Sequence, residues 1–251
     1  MIPAAVLGGV LATAAAGWLV LIQRMPGMDT GPGGDPGMLG WFAVTWAVMT
    51  VGMMLPASAP AAVRLAHGWR SRTAAAVVLF LCGYVLVWML AGLVGFAFIQ
   101  AVRGLHPTVL GWPHGGRYIA GASIAATALY QLTASKRRWL ARCTSPHIGV
   151  PSAGLGTAVR AGADHGGCCV ACCWTMMVAL YALGMMSLVW MAVLTALIVA
   201  ERTLGRQVLA VRAVAAVLIV LGVALMVRPT AVPALTIPST GGPMTAMTAG
   251  A

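Results

Sequence analysis

Seven long apolar stretches dominate this chain of 251 residues and limit what it can fold into. Each is close to the length of about 20 residues that an α-helix needs to cross a bilayer. Hydrophobic residues make up 61% of the chain and charged residues only 8%, which is too apolar for a water-soluble domain. The sequence therefore predicts an all-α, polytopic transmembrane helical bundle. The expected spans cover 2–22, 39–60, 74–101, 117–134, 168–184, 187–203 and 209–227.

The apolar stretch from 168 to 203 has two possible interpretations. Residues 170–200 include no charged side chain, and as one helix these 31 residues would be about 46 Å long, whereas the hydrocarbon core is about 30 Å thick. Gly184 and Ser187 near the centre favour a turn and hence a helical hairpin. The hairpin gives seven spans in total, and a single long span gives six.

Basic residues between the spans predict the orientation, because Lys and Arg accumulate on the cytoplasmic side of a membrane. Seven spans with a cytoplasmic N-terminus place 11 of the 15 Lys and Arg residues inside and 4 outside, whereas six spans give 9 and 6. This distribution favours seven spans. It also accounts for the net charge of +11 without a nucleic-acid partner, since the basic residues form no continuous stripe.

The connections between the spans define the expected organisation. Residues 1–38 hold a first span and a Gly/Pro-rich outer loop, and 39–227 form the membrane helical domain. Within that domain, 135–167 is expected to be a long basic inner loop. The Pro/Thr/Ala/Gly-rich segment 228–251 is expected to be a disordered tail.

Four cysteines crowd into six residues and are the strongest chemical signal. They are Cys168, Cys169, Cys172 and Cys173, at the predicted start of an apolar helix. On a helix these spacings place the four sulfurs within an arc of about 140°. Thiolates are soft ligands that suit Cu(I), Zn or an iron–sulfur cluster, and His165 can add a nitrogen ligand. The structural alternative is that these small residues only pack helices together.

A methionine group supplies a second set of soft donors. Met53 and Met54 lie just before Pro56, which can break or kink the second span. Thioethers also bind Cu(I), although methionine commonly fills gaps in apolar bundles. In the predicted topology, these residues lie near the cytoplasmic end of their span, at the level of the cysteines.

Two further residues belong to the predicted site. Met176 follows Cys172 by one helical turn and extends the donor face. Glu201 is the only acidic residue in or beside a span, where a carboxylate needs a partner. It is either paired with a basic residue of the inner side, such as Arg202, or placed to orient a ligand or neutralise a bound cation.

Three stretches carry a resemblance to a known family. They run from Trp46 to Pro60, from Tyr130 to Lys136, and from Cys172 through Met191 to Glu201. On these residues the chain resembles a bacterial family of predicted metal-binding integral membrane proteins, built on a domain of unknown function. The resemblance implies a multi-pass protein of the inner membrane that binds a metal ion.

The sequence thus predicts an inner-membrane protein that binds a soft metal ion, Cu(I) or alternatively Zn, for metal handling, transfer or transport. Its expected partners are the lipid bilayer and a metal-accepting membrane or periplasmic protein. One rival is a membrane thiol–disulfide oxidoreductase that uses Cys169 and Cys172 as a redox pair. Another is a non-catalytic scaffold or assembly subunit. An enzyme is not favoured, since no nucleotide-binding, hydrolase or zinc-protease motif occurs.

Overall fold

The computed structural model describes residues 2–24, 37–68, 73–105, 116–145, 155–183, 187–203 and 207–228. These residues are almost entirely helical, which confirms the all-α prediction. A π-helical turn, Thr50–Met54, joins the second and third helices into one continuous segment. The helices are α1 (Ile2–Arg24), α2 (Leu39–Met49), α3 (Leu55–Gly68), α4 (Thr73–Leu105), α5 (Arg117–Gln131), α6 (Ala134–Thr144), α7 (Leu155–Leu183), α8 (Leu188–Thr203) and α9 (Gln207–Val227).

Five of the described helical segments are long and apolar enough to cross a membrane. The two remaining predicted spans correspond to α5 and α8, which have 15 and 16 residues. The number of spans therefore stays a prediction. The five segments are Ala4–Arg24, Leu39–His67, Thr73–Val102, Gly156–Leu183 and Val208–Val227.

The apolar stretch 168–203 is divided between two helices, as the hairpin interpretation expected. Helix α7 ends at Leu183 and α8 begins at Leu188. However, α7 begins at Leu155, so the cysteines lie in its middle and not at its start. The segment 135–167, predicted to be a basic inner loop, contains α6 and the first part of α7, and its place on the inner side stays a prediction. The predicted tail, apart from Arg228, lies outside the described residues.

Small residues explain why the first part of α7 is helical despite its polar composition. Ala158, Gly162 and Gly166 recur every four residues and are buried. Because Gly162 and Gly83 carry no side chain, the backbones of α7 and α4 approach closely. A Cβ atom at Gly162 would overlap the carbonyl group of Phe80. Tertiary contact thus stabilises this half of the helix.

The π-helical turn follows from Pro56, which has no N–H group to donate to the carbonyl oxygen of Gly52. The indole Nε1 of Trp18 donates to that oxygen at 3.1 Å instead. The segment therefore passes through Pro56 as a helix with one widened turn. A break at Pro56 does not occur.

Candidate metal centre

Four cysteine thiols from two helices meet in the protein interior. Cys169, Cys172 and Cys173 lie on one buried face of α7, and Cys143 comes from α6. All four are free, and each is at most 4% exposed. The Cys172 sulfur lies 3.3 Å from that of Cys173 and 3.7 Å from that of Cys143. We call these four residues the thiol cluster.

The guanidinium group of Arg202, from α8, lies among the four sulfurs. Its Nη2 atom is 2.9 Å from Sγ of Cys169 and 3.2 Å from Sγ of Cys172. The sulfurs of Cys143 and Cys173 are each 3.8 Å from the same nitrogen. One cationic nitrogen therefore contacts every member of the thiol cluster. A positive charge at this point stabilises negative charge on the sulfurs.

A buried ion pair lies beside the thiol cluster. The Nζ atom of Lys136 is 2.8 Å from Oε2 of Glu201, and the two side chains are 0% and 1% exposed. The same Nζ atom donates to the carbonyl oxygen of Cys172 at 2.7 Å. Burial opposes the charged amine, but the nearby Cys173 and Glu201 together raise the pKa of Lys136 from its ordinary value. The pair joins α6 and α8 to the backbone of a thiol-bearing residue.

Tyr84 connects the thiol cluster with the π-helical turn. Its hydroxyl group donates to the carbonyl oxygen of Met54 at 3.1 Å and lies 3.0 Å from Sγ of Cys169. Because the Tyr84 side chain is completely buried, these contacts are shielded from solvent. The turn and the cysteines are thus separated by a single side chain.

The sulfurs of the thiol cluster do not have the arrangement of a coordination site. No group of three or more His, Cys, Asp or Glu side chains in the described part of the chain is placed to hold a metal ion. The guanidinium of Arg202 lies at the point that all four sulfurs share. A metal ion that binds there must replace this guanidinium group and draw the sulfurs together.

The other predicted donors on α7 lie around the thiol cluster. Cys168 is half-buried at the edge of the thiol cluster, with its thiol beside that of Cys143, whereas Met176 is fully buried one turn beyond Cys172. His165 is buried against the rings of Phe80 and Tyr84, with centroids 5.8 and 5.7 Å away. Its Nε2 atom has no hydrogen-bond partner among the described residues. The structure thus keeps the imidazole near the cluster without joining it to a sulfur by a hydrogen bond.

The predicted methionine donors are separated from the cysteines. Met53 and Met54 are each 1% exposed and line a small cavity that no cysteine lines. The Tyr84 hydroxyl contacts both the Met54 carbonyl oxygen and the Cys169 sulfur. Glu201, the predicted carboxylate, contacts Lys136, and its Oε1 atom has no partner among the described residues. The nine predicted donors therefore do not form a single site. They lie in neighbouring groups at the cysteines of α7, at the methionine-lined cavity and at the ion pair of Glu201.

Three residues of the site were not predicted as functional from the sequence. Cys143, Lys136 and Arg202 were assigned to the basic inner side of the membrane. One signal for the first two was available, since Lys136, Leu140 and Cys143 follow the i, i+4, i+7 spacing of a buried helix face. Arg202 adjoins the lone buried carboxylate, but nothing in its local sequence indicates contact with the cysteines.

Comparison with known families adds independent information. A family model described as a copper chaperone (PpoB2) matches residues 43–225. This range includes the thiol cluster, the ion pair and the methionine-lined cavity. No curated protein and no solved structure matches the chain.

Proposed function

This chain belongs to the copper chaperone family, and on that premise we propose that it binds Cu(I) as cargo at the thiol cluster and passes the ion to a partner protein. The family match supports copper handling, and the cluster supplies the chemistry. Oxidation state, membrane location and partner are parts of the proposal.

The observation that carries the proposal is the convergence of four buried sulfurs on one point. Soft thiolates select Cu(I) over hard cations such as Mg²⁺ or Ca²⁺, which prefer oxygen ligands. Zinc also accepts thiolates, but its structural sites take four ligands in a tetrahedron. Three of these sulfurs come from adjacent turns of one rigid helix, an arrangement that suits a low-coordinate ion better than a closed tetrahedral site.

Arg202 gives the thiol cluster a way to exchange its cargo. Without metal, the guanidinium group donates hydrogen bonds to the sulfurs of the buried thiols. An entering Cu(I) ion displaces the guanidinium as the thiols that bind it lose their protons. When the ion leaves, the thiols take up protons again and Arg202 returns to them, so that no uncompensated charge is left in an apolar interior, where it would be costly.

Exposed apolar side chains support a place in the bilayer. Val94, Phe98, Leu129 and Val220 are 64–70% exposed on the outer faces of three different helices. Exposed large apolar surface in a folded protein needs an apolar neighbour. The proposed location is the bacterial inner membrane, with a cytoplasmic N-terminus, and the proposed acceptor is a membrane or periplasmic protein that takes Cu(I) by ligand exchange.

The redox alternative pairs Cys169 with Cys172, and the two thiols are neighbours in the cluster. The Cys172 thiol donates to the carbonyl oxygen of Cys169 at 3.3 Å. The sulfur of Cys169 also contacts Tyr84 and Arg202. No observation on the described residues indicates an electron acceptor, and this alternative stays a prediction.

The test is the copper content of the full chain purified in detergent after growth with copper. We expect the Cys172→Ser/Cys173→Ser variant to lose its bound copper, because two of four sulfurs at the cluster are removed. Cys82→Ser is the matched control, since Cys82 is exposed on α4, away from the cluster. Unchanged copper content in the double variant would refute the proposal, and bound zinc in place of copper would refute its choice of metal.

A further inference from the structure

A second group of soft donors surrounds a small cavity at the π-helical turn. Its volume is about 10 Å³, which corresponds to a single water-sized sphere. Of the four methionines, Met53 and Met54 belong to the turn, Met49 directly precedes it, and Met177 comes from α7. The lining residues are Trp46, Met49, Thr50, Met53, Met54, Trp88 and Met177.

The π-helical turn explains why three methionines face the same cavity. In an α-helix Met49 and Met53 share a face, but Met54 would point about 100° away from Met53. The widened turn rotates Met54 back toward the side of the helix that carries Met49. All three are at most 3% exposed. The missing N–H group of Pro56 therefore has a consequence for chemistry as well as for backbone geometry.

The aromatic side of the cavity is held in place by a hydrogen bond. Nε1 of Trp46 donates to the backbone carbonyl oxygen of Trp88 at 2.8 Å, which fixes the Trp46 indole against the backbone of α4. Trp88 also lines the cavity and is 1% exposed. Indole faces attract cations through their quadrupole, and the effect grows with desolvation. The cavity thus combines thioether sulfurs with two aromatic side chains in a buried position.

We propose that this cavity is a second Cu(I) site, built from thioethers and distinct from the thiol cluster. The donors are uncharged and soft, so they suit a monovalent soft cation and offer little to a divalent or hard ion. The volume admits one ion. Thr50 is the single lining residue with an oxygen-bearing side chain.

The second site adjoins the first through Tyr84, which contacts the Met54 carbonyl and the Cys169 sulfur. A neutral thioether site holds Cu(I) more weakly than thiolates do, because it lacks their negative charge. An ion at the methionines is therefore a loosely held neighbour of the strongly held ion at the cysteines. The two sites form a pair of unequal affinity inside one helical bundle.

The test is a titration of the full chain in detergent with Ag(I), a redox-stable probe for Cu(I). We expect two bound ions in the wild type, one held strongly and one held more weakly, and only the strongly held ion in Met49→Leu/Met53→Leu/Met54→Leu. Leucine nearly conserves the volume of methionine, and the thermal midpoint reports whether the variant is folded. The matched control is Met89→Leu/Met191→Leu/Met226→Leu, which removes three methionines that do not line the cavity and should keep both ions.

Two further results separate this proposal from the copper function of the cysteines. Cys172→Ser/Cys173→Ser should lose the stronger ion and keep the weaker one, whose affinity should barely change at mildly acidic pH because a thioether carries no proton. An unchanged stoichiometry in the folded methionine variant would overturn the second site, whatever the cysteine variant shows. Equal loss in the control variant would also overturn it, since the effect would then not belong to the cavity.

Discussion

Arg202 places its charge at the point where a bound metal ion would contact the sulfurs, so under the proposed function it competes with Cu(I). As the ion left, the guanidinium group would regain its contacts, which place Nη2 only 2.9 Å from Cys169 Sγ. Hydrogen bonds to charged groups contribute about 1.5–3 kcal/mol, and about 1.4 kcal/mol corresponds to a tenfold change. We therefore expect Arg202 to accelerate release of the ion.

Arg202→Met should slow the transfer of Cu(I) from the protein to a soluble copper(I) chelator roughly tenfold. Stopped-flow absorbance of the chelator complex measures this rate. Arg212→Met, which removes an exposed arginine from α9, should leave the rate unchanged. A release rate in Arg202→Met equal to or faster than that of the wild type would contradict the exchange role of the guanidinium group.

The ion pair of Lys136 and Glu201 gives a prediction about stability. Lys136→Met leaves the Glu201 carboxylate buried without its cation, which should cost about 3–5 kcal/mol. Removing both charges in Lys136→Met/Glu201→Met should recover most of this loss, because a buried pair is often replaceable by apolar residues. Unfolding in detergent by denaturant measures both. A double variant no more stable than the single one would show that the pair is not the source of the effect.

At the scale of single residues, the sequence predicted the chemistry of α7 but not its partners. The thiols of Cys169, Cys172 and Cys173 are adjacent in the chain, so helical spacing alone reveals their common face. Cys143 and Arg202 reach them through the packing of α6 and α8 on α7, and no local pattern encodes that contact. Lys136 was predicted to be at the membrane interface because basic residues usually lie there, yet it is fully buried.

At the scale of elements, the close packing of α4 on α7 holds Tyr84 against Cys169. Gly162→Ala should push the two helices apart, because the added methyl group would meet the backbone of Phe80. We expect a loss of about 1–3 kcal/mol in unfolding free energy, together with weaker copper binding.

Gly167→Ala is the matched control for that substitution, since it lies on the same helix and its added methyl group meets nothing within 4 Å. It should be neutral or slightly stabilising, because alanine favours a helix over glycine by about 1 kcal/mol. Thermal unfolding and copper content of both variants, compared in the same detergent, measure the difference. Equal behaviour of the two would contradict the role of close helix contact.

Local sequence patterns predicted some helices correctly and others incorrectly. Apolar runs correctly predicted most helices and the hairpin of α7 and α8, because membrane-length hydrophobicity is a strong signal. The first part of α7 was predicted to be a loop, since Gly162, Asp164 and Gly166 are not typical of an apolar span. This part of the helix is stabilised by packing on α4, and the local sequence of α7 does not indicate that contact. The π-helical turn likewise depends on Trp18, which lies on another helix.

At the scale of the whole molecule, the orientation in the membrane is the main untested prediction. Seven spans with a cytoplasmic N-terminus place the C-terminus outside. Alkaline phosphatase fused to the C-terminus should therefore be active, and green fluorescent protein fused there should be dark. The reverse pattern would contradict seven spans with a cytoplasmic N-terminus and would support an even number of spans, such as six.

The whole bundle explains why a chain with so few charges can carry a cation site. Among the described residues, the charged side chains of Arg202, Lys136 and Glu201 lie together in one region beside the thiol cluster. Most of the surrounding core is apolar, which strengthens the interactions among those charges. Only the folded arrangement reveals this concentration, because the three residues are distributed over 67 positions of the sequence.

The most direct test of copper binding at the cysteines is copper K-edge X-ray absorption of the full chain loaded with one equivalent of Cu(I) in detergent. The thiol cluster predicts a first shell of sulfur alone in the wild type and in Cys82→Ser. It also predicts that Cys172→Ser/Cys173→Ser loses the ion or shows a changed shell. A first shell of nitrogen or oxygen in the wild type, or an identical spectrum in the double variant, would contradict the claim.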